Sequence, residues 1–240
     1  MKKSFSIVIP VRFNSSRFPG KPLKKIKSIP LMIWVGKKCQ QVTNSKNIFF
    51  ATDNKKIFET AKKYNFSSIM TSKKCLTGTD RVAEASKLIK KKIIINVQGD
   101  EPLVSGSDIK KVLNQKMQYP NHVICGYNSI NTDAKNTDIP KVVFNKNKDL
   151  LYISRSLIPG AKNKKKIHYH RQVCVYAFNH TQLKKFSAMK QKTHLEKLED
   201  IEILRFLELN IPIKMVKLSS KNVLAVDRPE HVKIISKYLK

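Results

Sequence analysis

The feature that most constrains this 240-residue chain is a series of short, almost purely apolar runs separated by stretches of helical character. Ile7-Val8-Ile9, Ile48-Phe49-Phe50-Ala51 and Ile93-Ile94-Ile95-Asn96-Val97 show no alternation of apolar and polar residues, so each is predicted to be a strand buried on both faces. A shorter strand is expected over 66–70. Between these runs, 30–39 reads as a helix with proline in its first turn, and 54–64 as a helix capped by Asp53. A third helix is expected over 81–89, started at Thr79. Strands alternating with helices imply crossover connections, the pattern of an α/β fold with a doubly wound, mostly parallel sheet.

Past residue 120 the texture changes. Strand-like segments at 123–127, 141–144, 150–154 and 172–178 follow one another with fewer helices between them. We expect one domain over 1–240, with an α/β core from 1–120 and 181–240 and a smaller β-rich subdomain at roughly 121–180. Apolar residues at 195, 198, 201, 204 and 207 predict one amphipathic helix over 195–209. A strand over 211–218 and a closing helix over 229–239, with Pro229 in its first turn, complete the chain. The basic run 162–166 reads as a loop.

The net charge of +31, from 48 Lys and Arg against 17 Asp and Glu, raises the question of a nucleic-acid partner. The lysines, however, are spread along the whole chain beside abundant Asn and Ile, with no recognition-helix pattern, RNP-type aromatic pair or zinc-finger spacing. Biased composition ranks first and an anionic substrate second, and no specific nucleic acid is expected. No apolar run approaches the roughly 20 residues of a membrane span, and the N-terminus lacks the apolar stretch of a leader, so neither membrane insertion nor export is expected. Cys39, Cys75, Cys125 and Cys174 are scattered without a C-x-x-C pair, which fits a reduced, cytoplasmic protein without structural zinc.

Candidate chemistry gathers where strands end. Pro10 closes the first strand, and the following loop holds Arg12, Arg17 and Lys21 in a shape limited by Gly20 and by prolines at 10, 19 and 22. Arginine forks and a lysine point charge suit a polyphosphate, although the spacing is neither a Walker A loop nor G-x-G-x-x-G. Gln98-Gly99-Asp100 follows the most apolar strand, so Asp100 faces the same sheet edge. There it can hold Mg²⁺ against a triphosphate or serve as an ordinary turn residue. Asp227, just before Pro229, is adequately explained as a helix cap. Arg155, at the end of a strand, suits a carboxylate or a surface ion pair.

Pro10-x-Arg12-x-x-Ser15-x-Arg17-x-Pro19-Gly20-Lys21-Pro22 and Asn96-Val97-Gln98-Gly99-Asp100-Glu101-Pro102 resemble motifs of the 3-deoxy-manno-octulosonate (Kdo) cytidylyltransferases, also called CMP-Kdo synthetases. Leu76-Thr77-Gly78-Thr79-Asp80-Arg81, Tyr152-Ile153-Ser154-Arg155, Arg171 to Phe178 and Leu195 to Arg205 resemble further segments in the family's order, so the likeness covers nearly the whole chain. The resemblance implies a nucleotide-diphospho-sugar transferase-like fold and a homodimer formed through the smaller subdomain. It also implies a Mg²⁺-dependent reaction, CTP plus Kdo giving CMP-Kdo and diphosphate, for lipopolysaccharide biosynthesis. It assigns Mg²⁺ to Asp100 and Asp227, and catalysis to Arg12, Lys21 and Asp100. It assigns the nucleotide to Pro10, Arg12, Arg17, Lys21, Thr77, Gly78 and Arg81, where a glycine lets a flat base approach the backbone closely. The sugar falls to Gln98, Arg155, Gln172, Tyr176 and Glu202. Gln172 stands where the family has histidine, Cys174 where it has glycine, and Ile203 where it has glutamine. These departures favour a modified ulosonic acid such as 8-amino-Kdo, while Arg155, Tyr176 and Glu202 favour Kdo itself.

Overall fold

Ile7, in the first apolar run, has a parallel neighbour on each side, Ile48 on one strand and Ile95 on another. The computed structural model describes residues 4–13, 18–130, 134–160, 162, 167–219 and 225–239. Its strands are β1 (Phe5–Pro10), β2 (Lys25–Ile26), β3 (Ile29–Pro30), β4 (Ile48–Thr52), β5 (Ser67–Met70), β6 (Ile93–Val97), β7 (Val123–Ser129), β8 (Lys141–Phe144), β9 (Leu150–Ser154), β10 (His170–Phe178) and β11 (Ile213–Lys217). Its helices are α1 (Leu31–Cys39), α2 (Lys55–Lys63), α3 (Gly78–Ser86), α4 (Gly106–Gln118), α5 (His180–Ser187), α6 (His194–Glu199), α7 (Leu204–Glu208) and α8 (Pro229–Ser236).

The central sheet runs β11-β7-β10-β6-β1-β4-β5. β6, β1, β4 and β5 are mutually parallel, β11 is parallel to β7, and β10 is antiparallel to both β6 and β7. The sheet is therefore mixed and mostly parallel. Successive side chains of a strand point to opposite faces, and β1 feeds both. Ile7 and Ile9 pack with Met32 and Val35 of α1 and Val112 of α4, whereas Val8 packs with Val82 of α3 and Phe206 of α7. Helices on both faces explain why the apolar runs show no alternation. Each fully buried isoleucine contributes roughly 1.5–3 kcal/mol relative to exposure.

A third cluster sits beside the sheet. Phe18, Ile26, Leu31 and Trp34 pack with Val226, Ile235 and Leu239, which clamps the C-terminal segment onto the loop that follows β1. The stretch 121–180 supplies β7 and β10 to the central sheet, and only β8 and β9 stand off it, with β8 joined to β10.

Several local expectations are corrected. Asn54 rather than Asp53 caps α2, accepting the amides of Lys56 and Ile57 at 3.0 and 3.3 Å. Thr77 rather than Thr79 caps α3, accepting the Asp80 amide at 3.2 Å. α4 and α5 stand where no helix was read, although Ser105 caps one and a capping box of Asn179 and Gln182 starts the other. The helix expected over 195–209 is two, broken at Asp200, whose φ of 50° is left-handed. Nine residues of straight helix would separate Glu196 and Arg205 by about 13 Å. The break instead brings the Arg205 Nε to 2.6 Å from the Glu196 carboxylate. Asp227 does not cap α8; Arg228 holds that position, and the Asp227 amide donates to His231 Nδ1 at 3.2 Å.

Candidate active site

The parallel strands β1 and β6 end on the same side of the sheet, so the loops after them meet there. Gly99 allows the closest approach: a Cβ on it would stand 2.8 Å from Val11 Cγ2 and 3.1 Å from the Pro10 carbonyl oxygen. No side chain fits between these two segments. Gly20, at a left-handed φ of 68°, then turns the chain into Lys21 without the steric cost a Cβ would bring.

Lys21 reaches across this junction. Its Nζ lies 2.7 Å from Asp100 Oδ2 and 3.4 Å from Asp227 Oδ1, and the residue is buried. The backbone reinforces the meeting, because the Val226 amide donates to the Asp100 carbonyl at 2.9 Å. Two carboxylates from distant segments of the chain thus share one ammonium, as they would share a cation. Behind them Glu101 is buried; burial first and the Asp100 charge second push its carboxyl up to about 8.

The other wall is the start of α3. The Thr77 hydroxyl donates to Asp80 at 2.8 Å. Glu202, just before α7, accepts the Thr79 amide at 3.0 Å and lies 3.4 Å from Gln98 Nε2. Burial raises the Glu202 carboxyl above its usual range, against the lowering effect of the Thr79 amide. This wall hangs on a wholly buried guanidinium. Arg205 pairs with Glu196 at 2.6 Å and with Asp80 at 2.8 Å, and it lies 3.8 Å over the Phe186 ring. One side chain thereby fixes α7, α6 and the cap of α3 together.

These walls enclose a cleft of about 370 Å³. Pro10, Arg12, Lys21, Thr77, Gly78, Arg81, Gln98, Asp100, Glu202 and Asp227 all line it. Arg81 is committed within the protein, to Asp53 at 3.0 Å and to the Thr71 hydroxyl. A second cavity of about 350 Å³ adjoins it and shares Arg12, Cys75 and Arg81. Arg17 lies outside the described residues.

Arg155, Gln172 and Tyr176 do not line this cleft. The Arg155 guanidinium donates to the carbonyls of Glu199, Asp200 and Thr137 at 2.6, 3.2 and 3.1 Å, bracing the break between α6 and α7. Gln172 is buried and donates to the Tyr176 hydroxyl at 3.0 Å, and Ile203 is fully buried in the core. The departures at 172 and 203 are therefore buried side chains outside the cleft lining. Sequence reasoning missed Lys192 and Asp200, which do line the cleft and pair at 2.7 Å. On one continuous helix Asp200 would read as solvated polar surface, and only the left-handed break reveals its position.

Among the described residues no cluster of three or more His, Cys, Asp or Glu side chains is built to hold a metal, and no helix is long and apolar enough to cross a membrane. Mg²⁺ needs only one or two carboxylates when substrate phosphates complete its shell. Asp100 and Asp227, already sharing an ammonium, are hard oxygen donors of that kind, so the residues present fit the ion. Arginine, lysine and paired carboxylates at the carboxyl ends of parallel strands suit a nucleotide polyphosphate with a divalent cation.

Comparison with known proteins agrees with this chemistry. A family model described as cytidylyltransferase matches residues 6–215. The 3-deoxy-manno-octulosonate cytidylyltransferase of a Nitratiruptor species is 37% identical over 239 residues, covering 96% of this chain and 98% of that protein. The 8-amino-3,8-dideoxy-manno-octulosonate cytidylyltransferase of a Shewanella species is 36% identical over 233 residues, covering 94% of each. The solved structure of a CMP:2-keto-3-deoxy-manno-octonic acid synthetase complexed with CTP superposes with a TM-score of 0.90 at 31% identity, over 98% of this chain and 97% of that one.

Proposed function

The chain belongs to the cytidylyltransferase family, and from that premise we propose that it joins CTP to 3-deoxy-manno-octulosonate, giving CMP-Kdo and diphosphate. The observation that carries the reading is the convergence of Lys21, Asp100 and Asp227 opposite the Thr77-Gly78 wall. One side offers charge for a triphosphate, and the other offers backbone for a flat base.

In this reading the sugar's anomeric hydroxyl attacks the α-phosphorus of CTP in line, the bond to the departing diphosphate breaks, and the hydroxyl proton is released to solvent. Such a transfer depends on positioning and charge neutralisation rather than on covalent catalysis. Arg12 and Lys21 hold phosphate oxygens and stabilise the charge that develops on them. Asp100 and Asp227 would hold Mg²⁺, which supplies Lewis-acid polarisation of the phosphates when bound. Thr77 and Gly78 seat the base. Glu202 and Gln98, bonded to each other across the cleft floor, receive the sugar hydroxyls.

A second reading, the 8-amino sugar, is favoured by the Shewanella relative, which matches about as closely as the Kdo enzyme. Diphosphate release is to be measured from CTP and Mg²⁺ with Kdo, 8-amino-Kdo and N-acetylneuraminate offered separately. Release with Kdo at the highest kcat/KM is expected. A preference for the 8-amino acid selects the second reading, and a protein that neither binds CTP nor releases diphosphate refutes both.

A further inference from the structure

The acid substrate brings a carboxylate that needs a cation, and the described cleft cations are mostly committed. Lys21 is held by Asp100 and Asp227, and Arg81 by Asp53 and Thr71. Arg12 serves the phosphates in the reaction proposed above. Arg155, which the sequence suggested for this task, directs its guanidinium to three backbone carbonyls outside the cleft. Lys192 remains. It lines the cleft and its side chain is about one-third exposed; its partner, Asp200, is 73% exposed.

Resting on that reaction, we infer that Lys192 is the residue that captures the carboxylate of the ulosonic acid, with Asp200 as the counterion it leaves on binding. A solvated pair of this kind is weak, so exchanging one carboxylate partner for another costs little. The pair also sits within a positive field. Lys192 chiefly, then Arg155 and Arg12, hold the Asp200 carboxyl below its ordinary range, against partial desolvation. An arriving carboxylate meets that same field.

The left-handed turn at Asp200 fixes the geometry of the exchange. It ends α6 and aims residue 200 back toward Lys192, which precedes the same helix. The segment that carries the pair also carries Glu202, so capture of the carboxylate and recognition of the hydroxyls fall on one continuous stretch of chain. Two residues that a helical reading left on the surface thus become a specificity element of the cleft.

The test is steady-state kinetics of Lys192→Met, Lys192→Arg and Asp200→Asn, with diphosphate release as the readout. Lys192→Met is expected to raise KM for the ulosonic acid about 3- to 5-fold, the worth of a partly exposed ion pair, while KM for CTP changes less than 2-fold. Lys192→Arg should restore the acid KM to within about 2-fold, and Asp200→Asn should lower it by freeing the ammonium. An unchanged acid KM in Lys192→Met overturns the inference, as does an equal rise for both substrates. An Asp200→Asn defect confined to the 8-amino acid also overturns it, by moving recognition to the Asp200 carboxylate. Wild-type protein silent with every ulosonic acid would instead refute the reaction itself, so the two failures are told apart.

Discussion

Replacing Arg205 by methionine tests whether the nucleotide wall depends on a buried charge. The guanidinium and the Glu196 carboxylate are both fully inaccessible, and the Asp80 side chain is 10% exposed. Methionine fills comparable space but donates nothing, so two buried carboxylates lose their common cation. Removing one partner from such a group costs about 3–5 kcal/mol, well above the value of an exposed pair, because the remaining charge is stranded away from water. For a chain of this size that corresponds to a Tm lower by roughly 6–20 °C. Urea unfolding followed by circular dichroism measures it directly. A double-mutant cycle with Glu196→Gln adds a sharper check. Once the carboxylate is neutral, Arg205→Met should cost at least about 1 kcal/mol less than it does in the wild-type background. KM for CTP should also rise, since Asp80 positions the Thr77 hydroxyl. A loss below about 1 kcal/mol, or a strictly additive cycle, would refute the reasoning.

Asp100→Asn should reduce turnover at least about 100-fold while shifting Tm by only a few degrees, because the carboxylate, although paired with Lys21, is partly exposed and the Asp100 carbonyl keeps its bond from the Val226 amide. Chelation of Mg²⁺ in the wild type should abolish diphosphate release, and adding the ion back should restore it. Undiminished turnover in either experiment would remove the metal assignment. Glu202, whose carboxyl burial raises above 4.5, keeps its proton in the folded state at pH values where the unfolded chain has lost it. The folded state binds more protons in that window, so stability should fall as pH rises above 4.5. Glu202→Gln should flatten that slope in thermal melts, and an unchanged slope would show that Glu202 does not carry it.

Ile7-Val8-Ile9 and Ile93 to Val97 read correctly as buried parallel strands, because burial on both faces leaves no alternation of apolar and polar positions in the run. The loop after β1 and the Gln98-Gly99-Asp100 turn were expected at one sheet edge, the start of α3 was tied to the nucleotide only by the family resemblance, and all three line the cleft. α4 was legible in its Ser105 cap and its apolar face of Ile109, Val112 and Leu113, and α5 in its Asn179–Gln182 capping box, but neither signal was read.

Tertiary structure decided the rest, and the division has a physical cause. An apolar pattern reports whether a residue is buried, and a cap reports a bond three residues away; both are local. The partner of a charged side chain is not local. Lys21 bonds Asp227 across 206 positions, Arg205 bonds Asp80 across 125, and Arg155 turns to the Glu199 carbonyl 44 positions away. Nothing near Arg155 in sequence says that three carbonyls will take its donors, or that a left-handed Asp200 will bring Lys192 to the cleft. The sequence by itself determined the sheet, its layers and the edge where chemistry collects. Which cation each carboxylate holds, and which remains to meet a substrate, was settled only when distant segments packed together.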